Sequence, residues 1–114
     1  MSITMYHNPR CNTSRRTLAL LREKGVEPKI VEYLKTPYTA AQLKTLLRQL
    51  KLPAKRLVRK KEAAAAGIDP EALSEDALIE AMVEHPIIVE RPIVVSGGRA
   101  ALGRPPEAVL AVLQ

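Results

Sequence analysis

Residues 3–33 decide the fold of this chain, and they read ITMYHNPRCNTSRRTLALLREKGVEPKIVEY. Polar and apolar residues alternate from Ile3 to His7, which predicts a short strand with one buried face. Residues 8–12 are rich in helix and strand breakers and predict a loop. Lys29–Tyr33 predicts a second strand. The residues between the strands predict a helix, and a strand–helix–strand unit is right-handed, so the two strands are expected to be parallel.

The helix between these strands has recognisable ends. Thr13 or Ser14 is expected to cap its N-terminus, because their hydroxyls can accept hydrogen bonds from the unpaired N–H groups of a first turn. The helix should run to about Lys24 and stop at Gly25, since glycine is common just past a helix end. Cys11 then lies in the loop at the start of this helix.

The middle of the chain is helical by its pattern. Thr39 and Gln42 form a capping box. Four leucines that follow share one helix face: Leu43, Leu46, Leu47 and Leu50. Residues 54–66 predict one or two short helices, and Ser74 is expected to cap another. We therefore predict a helical insertion over about residues 39–85.

The last thirty residues change to the pattern of a hairpin followed by a helix. Ile87–Val89 and Ile93–Val95 are apolar and β-branched, which is typical of strands. Residues 96–99 contain a Gly-Gly pair that can supply the positive φ of a tight turn, and Ala100–Gly103 is predicted to return as the partner strand. Pro105 is expected at the first position of a final helix.

The predicted order is β-α-β, a helical insertion, and then β-β-α. This is the thioredoxin-like arrangement, an α/β fold whose mixed β-sheet has a parallel and an antiparallel half. With 114 residues the chain is the size of one domain, and we predict a single domain over residues 1–114. The chain contains no Phe and no Trp, so aliphatic side chains and Met must build its core.

Composition narrows the classes of function. Three Tyr are the only aromatic residues, which nearly excludes the stacking platforms that bind single-stranded nucleic acid. No apolar run approaches the length of a membrane span, and the N-terminus lacks the pattern of a signal peptide, so we expect a cytoplasmic protein with no membrane partner. The net charge of +6 suggests an anionic partner.

Cys11 is the only cysteine, so the chain cannot form an internal disulfide, a dithiol redox pair or a four-cysteine zinc site. Ser14 stands where a Cys-x-x-Cys motif has its second thiol. The helix N-terminus and nearby cationic residues favour a thiolate, which predicts a lowered pKa for Cys11. Any second thiol in a redox cycle must then come from another molecule. No constellation of residues predicts a metal site.

The same loop is suited to bind an oxyanion. Backbone N–H groups and hydroxyls at a helix N-terminus can surround an anion. Four residues after Cys11 could form this supporting loop: Asn12, Thr13, Ser14 and Arg15. A thiolate and an oxyanion repel each other unless cations are added. Three arginines elsewhere in the chain could add them: Arg59, Arg91 and Arg104.

Four segments together resemble the glutaredoxin-linked arsenate reductase family. They are YHNPRCNTSR at residues 6–15, LVRKK at 57–61, ERPIVV at 90–95 and LGRPPE at 102–107. The resemblance covers essentially the whole chain, in the family's order and at its spacing. It implies a thioredoxin-like core and the reduction of arsenate to arsenite, with glutathione and glutaredoxin as partners. It implies no bound cofactor, because glutathione serves as a co-substrate.

The resemblance also assigns roles to residues. The family's catalytic cysteine falls on Cys11, and the histidine that lowers the pKa of its thiol falls on His7. The oxyanion-binding arginines fall on Arg59, Arg91 and Arg104. The family's cis-proline falls on Pro92, so the Arg91–Pro92 bond should be cis. The Cys11 thiolate is expected to displace water or hydroxide from arsenic and form a covalent arsenic–sulfur adduct.

Other functions stay open at this point. Arg10 and Asn12 depart from the best-known members of the family and favour a subgroup that acts on another oxyanion or on a glutathione-linked substrate. Redox-sensing transcription regulators that bind RNA polymerase are related, but most carry Cys-x-x-Cys in this loop. The basic run Lys51–Lys61 could instead bind nucleic acid, although we expect no nucleic-acid partner and a monomer.

Overall fold

The computed structural model describes residues 2–113, and these form two compact units. The sheet unit combines residues 2–36 with residues 91–113, and the helical unit comprises residues 37–90. The helical unit contains the predicted insertion. That the chain forms a single domain stays a prediction.

The sheet unit has the predicted topology. Its regular elements are β1 (Ile3–His7), α1 (Asn12–Glu23), β2 (Lys29–Glu32), β3 (Ile93–Ser96), β4 (Arg99–Leu102) and a 3-10 helix at Pro106–Val112. The sheet order is β2-β1-β3-β4, in which β1 pairs with β2 in parallel and with β3 antiparallel. The thioredoxin-like α/β fold is therefore confirmed, with β1 in the centre where its C-terminal end leads to Cys11.

The core of the sheet unit is aliphatic, as the composition requires. Met5 on β1, Leu21 on α1 and Val94 on β3 have no exposed surface, and Val109 and Val112 of the 3-10 helix pack with them. Each such side chain contributes about 1.5–3 kcal/mol when it is withdrawn from water. This core holds α1 against the sheet and thereby fixes the start of α1 beside the end of β1.

The start of α1 differs from the prediction. The helix begins at Asn12, and Cys11 occupies the N-cap position without a side-chain hydrogen bond to the helix. Neither Thr13 nor Ser14 caps it. The hydroxyl of Ser14 instead accepts a hydrogen bond from the backbone N–H of Asn8, at 3.1 Å, and lies against a neighbouring histidine. The other end is as predicted, because Gly25 has φ +78° just past the helix.

The C-terminal helix also differs. Residues 106–112 form a 3-10 helix, and Pro105 precedes it rather than occupying its first position. The Arg91–Pro92 bond is cis, as the resemblance implies, and the Arg104–Pro105 bond is cis as well, which the sequence analysis did not predict.

The helical unit comprises α2 (Ala40–Leu50), α3 (Lys60–Ala65) and α4 (Glu75–Glu84), with short 3-10 turns at Ala54–Arg56 and Pro86–Ile88. The capping box of Thr39 and Gln42 is present with bonds of 2.9 and 3.1 Å. The β-branched stretch at residues 87–89 does not form a regular strand. It supplies only one antiparallel bridge, between Val58 and Val89. No helix within residues 2–113 has the length and apolarity that crossing a membrane requires.

Candidate active site around Cys11

Cys11 lies at the end of a tight turn between β1 and α1. Its backbone N–H donates to the carbonyl of Asn8 at 3.0 Å, and its carbonyl accepts from the N–H of Arg15 at 3.0 Å. The side chain is half-buried. The thiol therefore sits at the positive end of α1 and remains accessible to a small reactant.

The surroundings of the thiol favour its ionised form. Partial burial acts to raise the pKa of Cys11, but a hydrogen bond from the backbone N–H of Ser14 and the positive charges of Arg91 and Arg104 outweigh it. Arg91 also contributes a side-chain hydrogen bond. The net result is a pKa below the ordinary thiol value of 9.0. A thiolate is the form that attacks electrophiles.

Two arginines of the sheet unit meet at Cys11. Nη2 of Arg104 lies 3.6 Å from Sγ of Cys11, and Nε of Arg104 donates to the backbone carbonyl of Arg91 at 2.7 Å. Arg91 is nearly buried. The fold therefore brings Arg91 and Arg104 to the thiol, although Cys11 and Arg104 are 93 positions apart, and their role in binding an oxyanion stays a prediction.

Gly103 is a site residue that sequence reasoning missed. Its N–H donates to the carbonyl of Pro92 at 2.9 Å and so holds Gly103 against the cis-proline. Gly103 directly precedes Arg104 in the sequence. A Cβ at this position would lie 2.6 Å from Oγ1 of Thr17 and 2.7 Å from Cγ of Pro92. Only glycine fits. The single signal in the sequence was its place inside the segment LGRPPE.

His7 does not act on the thiol as a neighbouring positive charge. It is 6% exposed, and burial lowers its pKa, with further lowering by Arg15 and Arg22 and an opposing influence from Glu32. The imidazole is therefore neutral at pH 7. Its Nδ1 lies 2.6 Å from Oγ of Ser14. A lowered pKa does not fit the expectation that His7 adds positive charge beside the thiol, and that His7 lowers the pKa of Cys11 stays a prediction.

The supporting loop is held by its own side chains. Nη1 of Arg15 donates to the carbonyl of Pro9 at 2.8 Å, and Nη2 approaches Oδ1 of Asn12 at 3.4 Å. The carbonyl of Thr13 accepts from the hydroxyl of Thr17 at 2.9 Å. Arg15 thus stabilises the loop through its contacts with Pro9 and Asn12. That these residues bind an oxyanion stays a prediction.

Arg59 lies in the helical unit, at the N-cap position of α3. Its guanidinium pairs with two carboxylates, those of Glu62 and Glu90. Burial alone would lower its pKa, but the two carboxylates more than offset that influence and raise it. The sequence analysis predicted neither ion pair; Glu62 is three residues from Arg59, and Glu90 is 31 positions away. The oxyanion-binding role of Arg59 stays a prediction.

The charge of the chain is unequally divided. The sequence of the sheet unit carries ten Lys and Arg against four Asp and Glu, so the whole net charge of +6 belongs to it. The helical unit carries eight of each and is neutral. The basic run Lys51–Lys61 lies in that neutral unit, where Lys55 pairs with Glu71 at 3.2 Å. The role of this basic run, and the absence of a nucleic-acid partner, stay predictions.

The sheet unit thus carries the net positive charge and brings Cys11 together with Arg91 and Arg104. A family model described as the ArsC family matches residues 6–112. The chain belongs to the ArsC family. The matched range contains every candidate site residue discussed above. Among residues 2–113 no cluster of three His, Cys, Asp or Glu is placed to hold a metal ion.

Individual relatives agree with the family assignment. The chain is 51% identical to "Uncharacterized protein YfgD" of Escherichia coli (strain K12), over 97% of this chain and 96% of that one. It is 43% identical to an arsenate reductase of Neisseria meningitidis, over 97% of each chain. A solved arsenate reductase of Vibrio cholerae superposes with a TM-score of 0.89 at 45% identity and covers 98% of both chains. ArsC relatives thus match along nearly the full length.

Proposed function

We propose that this ArsC-family protein reduces arsenate to arsenite, with Cys11 as the nucleophile. The observation that carries the proposal is the placement of the Arg104 guanidinium 3.6 Å from the thiol, beside the nearly buried Arg91. Near neutral pH arsenate carries one or two negative charges. Arginine offers planar, charge-assisted donors for its oxygens. The names of the relatives support arsenate as the substrate.

The first step follows from the ionisation of Cys11. Its thiolate attacks arsenic, an arsenic–sulfur bond forms, and one arsenate oxygen leaves as water after it has accepted protons. Arg91 and Arg104 offset the negative charge that thiolate and oxyanion bring together. Arg59 is the third oxyanion ligand that we assign, on the basis of the family resemblance.

Reduction then needs two electrons, and the chain has no second thiol. In our proposal glutathione attacks the adduct and glutaredoxin completes the exchange. Arsenate gains two electrons and loses one oxygen as water, while two external thiols are oxidised to one disulfide. One arsenite is released for each disulfide, and Cys11 returns as a thiolate.

A reconstitution assay tests the proposal. Arsenite formation is measured with the protein, arsenate, glutathione and glutaredoxin together, and again with each component omitted. We expect turnover only with the complete set. Replacement of glutaredoxin by thioredoxin separates the two kinds of electron donor. Absence of arsenite in every combination, from protein whose thiol still reacts with alkylating agents, would contradict the assignment of arsenate.

A further inference from the structure

Two of the three nitrogen atoms of the Arg59 guanidinium are engaged by carboxylates of the helical unit. Nε lies 3.1 Å from Oε1 of Glu62, and Nη1 lies 3.0 Å from Oε1 of Glu90. The guanidinium thus lies against two carboxylates, hydrogen-bonded to Glu90 through Nη1 and ion-paired with Glu62 through Nε, which makes no hydrogen bond of its own within residues 2–113.

The backbone fixes this arrangement on both sides. The N–H of Arg59 donates to the carbonyl of Ile88, and the N–H of Glu90 donates to the carbonyl of Leu57 at 2.8 Å. Glu62 lies in the first turn of α3, where the helix dipole favours a carboxylate. Both acidic side chains are therefore placed by main-chain structure rather than by chance contact on a mobile surface.

Two carboxylates share one guanidinium in this cluster. The side chains of Arg59, Glu62 and Glu90 are only 22%, 26% and 25% exposed. Partial shielding from water makes charge interactions stronger than at an open surface. An oxyanion at the Arg59 guanidinium would gain charge-assisted hydrogen bonds, but each negative charge that it carries would be repelled by the two carboxylates.

We propose that Glu62 and Glu90 are specificity-determining residues that make Arg59 favour a singly charged oxyanion over a doubly charged one. The inference rests on the proposed function, in which Arg59 contacts the oxyanion. Near neutral pH arsenate exists in both charge states. The singly charged form has two hydroxyl groups and the doubly charged form has one. In the singly charged form one hydroxyl can therefore accept its second proton from the other and leave as water. It also repels the attacking thiolate less.

A comparison of two sulfur oxyanions tests the proposal at one pH, without any titration of the ligand. Sulfate carries two negative charges, and methanesulfonate carries one on a similar tetrahedral frame. Their dissociation constants are measured calorimetrically for the wild type, Glu62→Gln and Glu90→Gln. Glutamine keeps an oxygen acceptor for the guanidinium but removes the charge. Glu71→Gln is the matched control, because Glu71 is an exposed acid of the same unit that pairs with Lys55.

Each of the two site variants should bind sulfate about threefold to tenfold more tightly than the wild type does, the size expected of one partly screened charge. The gain for methanesulfonate should be clearly smaller, and Glu71→Gln should change neither. Sulfate binding that appears only in the variants would also support the proposal. Equal gains for both anions, no gain, weaker sulfate binding, or no sulfate binding by any form would overturn it.

Arg59→Gln separates this inference from the proposed function. It should weaken sulfate binding and remove the effect of Glu90→Gln in the double variant. If Arg59→Gln weakens binding but the glutamate variants do not tighten it, only the inference fails. If Arg59→Gln has no effect, the assignment of Arg59 as an oxyanion ligand fails and the inference with it. Arsenite turnover by the wild type tests the activity independently.

Discussion

Replacement of Gly103 by alanine should disturb both the fold and the site. The added Cβ would lie 2.6 Å from Oγ1 of Thr17, 2.7 Å from Cγ of Pro92 and 3.2 Å from its Cδ. Neither neighbour can move freely, because Thr17 is buried and bonded to the carbonyl of Thr13, and Pro92 is a ring. Gly103 has no positive φ, so backbone strain is not involved.

Overpacking of this kind costs about 1–3 kcal/mol. At about 4 °C per kcal/mol, Gly103→Ala should lower the midpoint of thermal unfolding by roughly 4–12 °C. Chemical denaturation gives the free energy of unfolding directly. Because Arg104 follows Gly103, the rate at which the folded variant is alkylated at Cys11 should fall as well.

The double variant with Thr17→Ala supplies the control. Removing Oγ1 relieves one of the two closest contacts. Gly103→Ala should therefore lower the free energy of unfolding less in the Thr17→Ala background than in the wild type. The Pro92 ring still obstructs, and relief should be partial. A Gly103→Ala protein as stable as the wild type, within about 0.5 kcal/mol, would refute the close approach on which this reasoning rests.

Further substitutions test the roles of individual side chains. Arg91→Lys and Arg104→Lys should each lower kcat/KM for arsenate about tenfold to a hundredfold, because lysine lacks the planar fork; activities near wild type would contradict bidentate recognition. Ser14→Ala should destabilise the fold by about 1–3 kcal/mol in chemical denaturation, since buried His7 and the N–H of Asn8 lose their partner. His7 has a lowered pKa in the fold, so stability should be complete above its unfolded value of 6.5 and decline below it. Unfolding at about pH 7.5 and about pH 5.5 measures that decline, and His7→Asn should reduce it; an unchanged slope would exclude His7 as its source.

Topology was predictable because it follows from local patterns and one general rule. Alternation in β1, the glycine after α1 and the right-handed strand–helix–strand connection together require β1 and β2 to be parallel. The position of the reactive thiol at the start of α1 follows from the same elements. The family resemblance supplied the candidate site residues and the cis bond before Pro92.

The details that escaped prediction depend on contacts between distant residues. Serine is a good capping residue, but the hydroxyl of Ser14 contacts the buried His7 and accepts a hydrogen bond from the N–H of Asn8 instead. Gly103 is not part of a turn that requires a positive φ. It is needed because the side chains of Thr17 and Pro92 occupy the space that a Cβ would fill. Glu90 could not be paired with Arg59 from spacing alone, since it reaches the arginine through the bridge between the segments around Val58 and Val89, whereas the i,i+3 spacing of Glu62 permitted its pairing.

The most direct test of the central claim is the rate of alkylation of Cys11 by iodoacetamide as a function of pH, with and without arsenate. The account predicts a midpoint below the ordinary thiol value of 9.0, and slower alkylation when arsenate is present, because the oxyanion occupies the arginine-lined site and opposes the thiolate. A midpoint at or above 9.0, or a rate that arsenate leaves unchanged, would contradict it.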